Sequence, residues 1–243
     1  IVYGFVGSLI SLLLSKPIAK FSCRAQVIDG TEGEAERWLV QTVEQLARQA
    51  NVRMPEVAIY PGAANAFATG AFRNHALVAV STDIMRQMTR EELRAVLGHE
   101  MSHVANGDMV TLTLVQGVLN AFVIFFSRVI ASVVASGGKG ESRRGNDGVY
   151  FLVTMVLQVV LGLLSSLIVF AYSRRREYAA DAGSAKLLGS PFPMIAALRR
   201  LGNLQPGTLP DSLKAFGIAE GRRTSVWSTH PSLEDRIAAL QKV

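Results

Sequence analysis

Two long runs without a charged residue constrain the fold of this 243-residue chain more than any other feature. The first extends from Met109 to Ser127, and the second extends from Val149 to Tyr172. Each run is long enough to cross a hydrocarbon core of about 30 Å as an α-helix. We therefore predict a transmembrane hairpin with a short polar turn, residues 137–148, on the far side of the membrane. The alternative, a helical hairpin buried in a soluble core, needs more surrounding chain than is present.

The overall composition also indicates a membrane protein. Hydrophobic residues make up 49% of the chain, and the mean hydropathy of +0.28 is high for a soluble protein. The net charge of +6 reflects basic residues that cluster beside the apolar runs, as in Lys16 to Arg24 and in Arg174-Arg175-Arg176. Such charges are typical of membrane orientation signals, and no nucleic-acid recognition motif accompanies them. We expect the lipid bilayer as a partner and no nucleic acid.

The hairpin determines which parts of the chain can meet. A hairpin returns the chain to the side of the membrane from which it left. The segments before Met109 and after Tyr172 therefore lie on one side and can form a single site. The basic residues in 16–24 and 174–176 lie on that side, which favours the cytoplasm, whereas the three basic residues of the far turn are a contrary indication.

Shorter patterns predict the elements outside the membrane. Thr31–Glu34 and Thr89–Glu92 have the spacing of capping boxes, so each predicts the start of a helix. Asn106-Gly107 predicts the end of the second of these helices. Strands, one of them a short edge strand, are predicted for residues 56–60, 65–70 and 75–80.

The second of these helices contains a pattern that predicts a metal site, Gly98-His99-Glu100-Met101-Ser102-His103. His99 and His103 are four residues apart, so they share one helix face and can hold one metal ion together. Glu100 would stand beside that ion and deprotonate a water molecule. The alternative is a polar helix face with two histidines that are solvated or satisfied in the core.

A third ligand is predicted where the chain leaves the second apolar run. Glu177 and Asp181 are four residues apart on a continuing helix and share a face, as the two histidines do. Glu177 is the predicted third ligand, and Asp181 is placed to accept a hydrogen bond from a zinc-bound histidine. The alternative is a solvated acidic face, or pairing of Glu177 with the preceding arginines. The single cysteine, Cys23, excludes a thiolate cluster and an internal disulfide.

Three further residues have two interpretations each, and a fourth has one. His230 could donate a hydrogen bond to a developing oxyanion, or it could be a helix-entry residue before Pro231. Asn65 and the following backbone could bind an extended substrate by strand addition, or Asn65 could be a turn residue. Arg236 could reach the site, although the sequence favours a surface charge, and His75 is predicted to be structural.

These motifs together resemble the HtpX-type bacterial membrane zinc peptidases, which are gluzincins related to the CAAX prenyl endopeptidases. The resemblance rests on His99–His103, Asn106-Gly107-Asp108 and Glu177–Asp181, and it extends to Asn65–Gly70 and Thr229-His230-Pro231. It implies an endopeptidase of the bacterial inner membrane, with one Zn²⁺ per chain and an active site that faces the cytoplasm. It also implies protein substrates, in particular damaged or misfolded membrane proteins.

We predict an α+β fold, in which a mainly helical gluzincin-like catalytic domain with a small sheet is interrupted by the transmembrane hairpin. Residues 1–15 are expected to be the remnant of a spanning helix, because the chain starts without Met and its first apolar run is short. The two halves of the catalytic domain are predicted at 16–108 and 173–243, on either side of the hairpin at 109–172.

Two other functions are compatible with parts of the sequence. A membrane-anchored binding or scaffold protein could use the same ligands for a structural metal, but a structural site has no need of Glu100. An intramembrane protease would carry the histidine helix inside a span, but Arg86, Arg90, Arg94 and Asp108 surround that helix. Because Glu177 follows Tyr172 by five residues, the site is predicted to lie on the order of 8 Å from the membrane surface.

Overall fold

The computed structural model of the chain describes residues 2–137, 143–204, 218 and 230–243, and it confirms the α+β fold. Helices dominate the described residues; they are α1 (Val2–Ser22), α2 (Glu34–Gln49), α3 (Thr82–Gln87), α4 (Arg90–Asn106), α5 (Asp108–Ser136), α6 (Arg143–Leu188), α7 (Phe192–Asn203) and α8 (Leu233–Leu240). The strands are β1 (Gln26–Ile28), β2 (Glu56–Tyr60), β3 (Ala66–Thr69) and β4 (Leu77–Ser81).

The four strands form one mixed sheet in the order β1-β2-β4-β3. Strands β2 and β4 are parallel, whereas β1 and β3 are antiparallel to their neighbours. The three predicted strands are confirmed, and β3 lies at the sheet edge as the sequence indicates. His75, expected at the head of a strand, instead lies in the exposed turn before β4. Strand β1 has only three residues, which is too short for an alternating pattern to reveal it.

Helix α4 lies at the centre of the main hydrophobic core. It packs against α2, α6 and α7 and against strand β3. Apolar side chains from these elements, including Leu39, Ala66, Val96 and Leu198, are completely buried there. The helix is therefore held on several sides, which fixes the orientation of the side chains that it carries.

The two capping predictions have different outcomes. Thr89 forms the predicted capping box with Glu92, and Gly107 ends α4 in the left-handed conformation with φ of 68°. Helix α2, in contrast, begins after Gly33 without a side-chain cap, so the box predicted from Thr31 is wrong. Thr31 has another partner, because its N–H and its hydroxyl both donate to the Asp29 carboxylate.

Helices α5 and α6 form the predicted hairpin. Both are long and apolar enough to cross a membrane, and only 11% and 0% of their most apolar stretches are buried. This exposure favours a lipid environment over a soluble core. Both helices are longer than the uncharged runs, since α5 continues to Ser136 and α6 already begins at Arg143; residues 138–142 of the predicted turn lie outside the described residues.

Helix α1 packs against α5 and connects the hairpin to the sheet. Lys16 and Lys20, predicted as charges that follow the apolar run, lie within this helix. Both bind the Glu56 carboxylate at the start of β2, Lys16 at 2.8 Å. The two lysines therefore attach the end of α1 to the sheet.

Candidate metal centre

Helix α4 places its two histidines side by side in the interior. His99 and His103 are 1% and 6% exposed, and their Nε2 atoms are 3.1 Å apart. The rings are nearly perpendicular, with centroids 4.6 Å apart. The four-residue spacing on a helix thus brings both imidazoles to one point, as the sequence predicts.

Helix α6 brings Glu177 to the same point. Its Oε2 is 3.5 Å from His99 Nε2 and its Oε1 is 3.3 Å from His103 Nε2. Glu177 is completely buried, and one ligand atom from each of the three residues lies within 4.8 Å of the others. The structure therefore brings together the three residues that the sequence selects as ligands.

Small residues allow α4 and α6 to approach this closely. A Cβ atom on Gly183 would lie 2.5 Å from the Ser102 hydroxyl, and one on Gly98 would lie 2.9 Å from atoms of Ser184 and Leu188. The Ser184 hydroxyl also donates to the Ala95 carbonyl at 2.7 Å. The two helices are thus in close contact where the two halves of the site meet.

A carboxylate lies against the other nitrogen of each imidazole. Asp181 Oδ1 is 2.9 Å from His99 Nδ1, and Asp108 Oδ2 is 2.6 Å from His103 Nδ1. The sequence places Asp108 in a family motif but does not predict this contact with His103. Asp108 begins α5 directly after the left-handed Gly107, and that change of direction returns its side chain to His103. An acidic residue just past the end of α4 was the available sequence signal for this contact. That signal can be interpreted only when the conformation of the turn at Gly107 is known.

The donor set fits a divalent cation. If each Nδ1–H donates to its carboxylate, each Nε2 is left with a lone pair, since a neutral imidazole has a single N–H. Two lone pairs and the Glu177 carboxylate then converge in a buried space, where they repel unless a cation lies among them. Two imidazoles and one carboxylate are also a known ligand set of catalytic zinc sites.

The ionisation of His99 agrees with this need for positive charge. Burial lowers its pKa, but hydrogen bonds to Asp181 and Glu177 outweigh that effect and raise it to about 9. The two carboxylates thus favour positive charge at this position, which a bound metal ion would also supply.

Glu100 lies beside the ligands on the same helix and is 1% exposed. Burial raises the pKa of its carboxyl group, the two histidines lower it, and the Glu177 carboxylate raises it further. The backbone of Ala68 in β3 also stabilises the charged form. The carboxyl group thus responds to both the metal ligands and the edge strand, which α4 packs against.

Arg236 is not the surface charge that the sequence favours. Its side chain is 1% exposed, and it donates two hydrogen bonds to Asp181, from Nε at 2.8 Å and from Nη2 at 2.7 Å. Its Nη1 is 3.7 Å from Glu177 Oε2. The prediction was wrong because helix α8 packs against α6, a contact that the spacing between residues 230 and 236 does not reveal.

His230 also lies at the centre of the site. It is 4% exposed, and its Nδ1 is 2.8 Å from Glu177 Oε2. The residue precedes α8, whose N-cap is Ser232. His230 therefore contacts the Glu177 carboxylate directly, and it also lies at the entry to α8.

Asn65 lies at the head of the edge strand β3 and is 2% exposed. Its N–H donates to the Ser81 hydroxyl, and its carbonyl accepts from the Ser81 N–H. Its side-chain oxygen accepts from the Ala66 N–H. The next carbonyl along the strand, that of Ala66, accepts from Ile218 N–H at 3.1 Å.

Comparison with known proteins assigns the chain to a protein family. Residues 34–243 match peptidase family M48. The chain is 56% identical to a protease HtpX homologue of Verminephrobacter eiseniae, over 99% of this chain and 83% of that protein. It is 57% identical to a protease HtpX homologue of Neisseria meningitidis serogroup C, over the whole of this chain and 85% of that protein.

A solved structure has the same fold. The chain is similar to the crystal structure of S. mikatae Ste24p, with a TM-score of 0.65 and 20% sequence identity. The similarity covers 97% of this chain, which spans about half, 55%, of the Ste24p chain. At this level of identity the likeness concerns the fold alone.

Proposed function

Because the chain belongs to peptidase family M48 and is a membrane metalloprotease, we propose that it is a zinc-dependent endopeptidase that degrades damaged or misfolded membrane proteins. We propose a bacterial inner-membrane location, with several spanning segments and the active site on the cytoplasmic side. The observation that carries the proposal is the convergence of three buried ligand atoms, two from α4 and one from α6, beside Glu100 of α4.

His99, His103 and Glu177 are the proposed zinc ligands. The two histidines would bind through Nε2, because Asp181 and Asp108 lie against the Nδ1 atoms and would accept a hydrogen bond from Nδ1–H. A bound zinc ion supplies Lewis acidity, which lowers the pKa of water toward 7 and polarises a carbonyl group.

Glu100 is the proposed general base. Its carboxylate accepts a proton from the attacking water and delivers that proton to the leaving amine. Burial supports this role, because it raises the pKa of Glu100 toward neutral pH, where a group can both accept and donate a proton. His230 would donate a hydrogen bond to the oxyanion that develops on the scissile carbonyl.

Strand β3 is the proposed binding edge for an extended substrate. Because Asn65 pairs with Ser81 of β4, the alternation of an antiparallel ladder turns the backbone groups of Ala66 and Ala68 toward the free edge. Ile218 already bonds to the Ala66 carbonyl. A substrate strand would therefore pair along Ala68, next to Glu100, and Asn65 would fix the head of the strand.

The distance between site and membrane supports membrane proteins as substrates. Helix α6 is continuous from the apolar run through Glu177, which follows Tyr172 by five residues. At 1.5 Å per residue the ligand lies on the order of 8 Å past the end of that run. Segments that emerge from the bilayer would reach the site directly.

Cleavage assays with and without metal test this function. We expect the purified protein in liposomes to cleave a membrane protein faster than a soluble unfolded chain such as casein. A chelator should abolish both activities, and added zinc should restore them. Equal rates on the two substrates would contradict the proposed substrate class, and unchanged cleavage in chelator would contradict zinc dependence.

A further inference from the structure

The turn between β3 and β4 is held in a defined conformation. Gly70, which begins it, has φ of +147°, and a Cβ atom there would lie 2.6 Å from the His75 carbonyl oxygen. The His75 N–H donates to the Phe72 carbonyl at 2.9 Å, which closes the turn. The side chains at its tip are therefore presented by a well-defined backbone.

This turn lies where α5, the first helix of the hairpin, begins. Phe72 and Arg73 line one small cavity together with Met109 and Val110 from the first turn of α5. His103 lines the same cavity, so the turn also adjoins the candidate metal centre. The tip of the turn is thus at the level where α5 leaves the catalytic domain.

The exposed side chains of the turn suit the surface of a bilayer. Phe72 is 59% exposed, whereas its neighbour Met109 is 5% exposed. Arg73 is exposed as well. Aromatic rings are enriched at membrane interfaces, and arginine is attracted to anionic headgroups. Arg24 and Arg175, which are also exposed and close in sequence to α1 and to the apolar run of α6, add positive charge at the boundary.

We propose that the turn 71–75 is a lipid-binding anchor, in which Phe72 enters the headgroup region and Arg73 pairs with anionic lipid headgroups. The anchor holds the adjoining strand β3, and with it the proposed substrate edge, at the bilayer surface. The inference rests on the proposed membrane placement of α5.

Depth measurements with site-specific labels test the anchor. Three full-chain variants, each on a Cys23→Ala background, would carry a fluorophore at one introduced cysteine: Phe72→Cys, Val118→Cys and Phe192→Cys. Val118 is 45% exposed within α5 and serves as the membrane reference. Phe192, 75% exposed, follows Leu188, which at 1.5 Å per residue is about 24 Å beyond Tyr172 along α6, and serves as the aqueous reference.

In liposomes that contain phosphatidylglycerol, brominated lipids should quench the labels at 118 and 72 but leave the label at 192 unaffected. Quenching at 72 should weaken in vesicles of phosphatidylcholine alone, since Arg73 then lacks its anionic partner. A label at 72 that behaves like the one at 192, while 118 is quenched, would overturn the anchor. Absence of quenching at 118 would instead refute the membrane placement of α5, and the anchor with it.

Activity provides an independent measurement. The double variant Phe72→Ser/Arg73→Ser should cleave a membrane protein in anionic liposomes several-fold more slowly than the unmodified chain, because the substrate edge is no longer held at the surface. Cleavage of a short soluble peptide should stay within about twofold. A parallel loss on both substrates would mean that the turn serves peptide binding or folding, and would overturn the proposal.

Discussion

At the residue scale, Asp181 connects two parts of the site. Its carboxylate lies against His99 and accepts two hydrogen bonds from Arg236, so the imidazole and the guanidinium are held by one group. Arg236 bonds to this carboxylate and lies 3.5 Å from His99 Nδ1 and 3.7 Å from Glu177 Oε2, which makes it a positioning residue. Its fork geometry determines where Asp181 can hold His99.

Replacing Arg236 by lysine should therefore weaken zinc binding although the charge is kept. Lysine cannot donate two parallel hydrogen bonds to Asp181, so His99 loses its fixed orientation. We expect about 10–100-fold lower zinc affinity, the range found when groups that orient metal ligands are changed. Competition with a chromophoric chelator measures this affinity.

Arg200→Lys is the matched control, because Arg200 forms an exposed pair with Glu92 at 3.4 Å and does not touch the site. Its zinc affinity should equal that of the unmodified chain. Equal affinities for all three proteins would show that Arg236 does not position the ligand.

At the element scale, the site depends on the close contact of α4 with α6. Gly183→Ala would place a Cβ atom 2.5 Å from the Ser102 hydroxyl and separate the two helices. Alanine normally stabilises a helix interior relative to glycine. Here we expect the opposite, a loss of about 1–3 kcal/mol from overpacking, together with reduced proteolysis because Glu177 moves from the histidines. Thermal unfolding measures the first effect.

Gly162→Ala on the same helix is the control. Among the described residues, no heavy atom outside the helix's own neighbouring backbone lies within 4 Å of the position that a Cβ atom would take at Gly162. This substitution should leave the unfolding temperature unchanged or slightly raised. Equal behaviour of the two variants would contradict a tight contact at Gly183.

The elements also show what the sequence can and cannot predict. Local patterns are sufficient for α4, because its cap at Thr89, its end at Gly107 and the spacing of its histidines all depend on neighbours along the chain. Arg236 and Asp108 require tertiary information: one is buried by the packing of α8 on α6, and the other is returned to His103 by a single left-handed residue. Thr31 likewise binds Asp29 instead of capping α2, and the spacing of Thr31 and Glu34 alone does not predict this.

At the scale of the whole molecule, a hairpin that spans the membrane would place both halves of the proposed catalytic site on one side of it. We expect a cysteine at Ser136, the exposed end of α5, to react with a membrane-impermeant maleimide in intact spheroplasts. A cysteine at the exposed Lys186, near the end of α6, should react only after lysis. The reverse pattern would place the site outside the cytoplasm.

The central claim is that α4 and α6 together build one zinc-dependent catalytic centre with Glu100 as its base. Zinc content and proteolysis, measured on the same preparations of the unmodified chain and of Glu100→Gln, test it most directly. We predict one zinc ion per chain in both proteins and proteolysis only in the first, since the variant keeps the ligands and loses the proton acceptor. Unchanged proteolysis by Glu100→Gln would contradict the account.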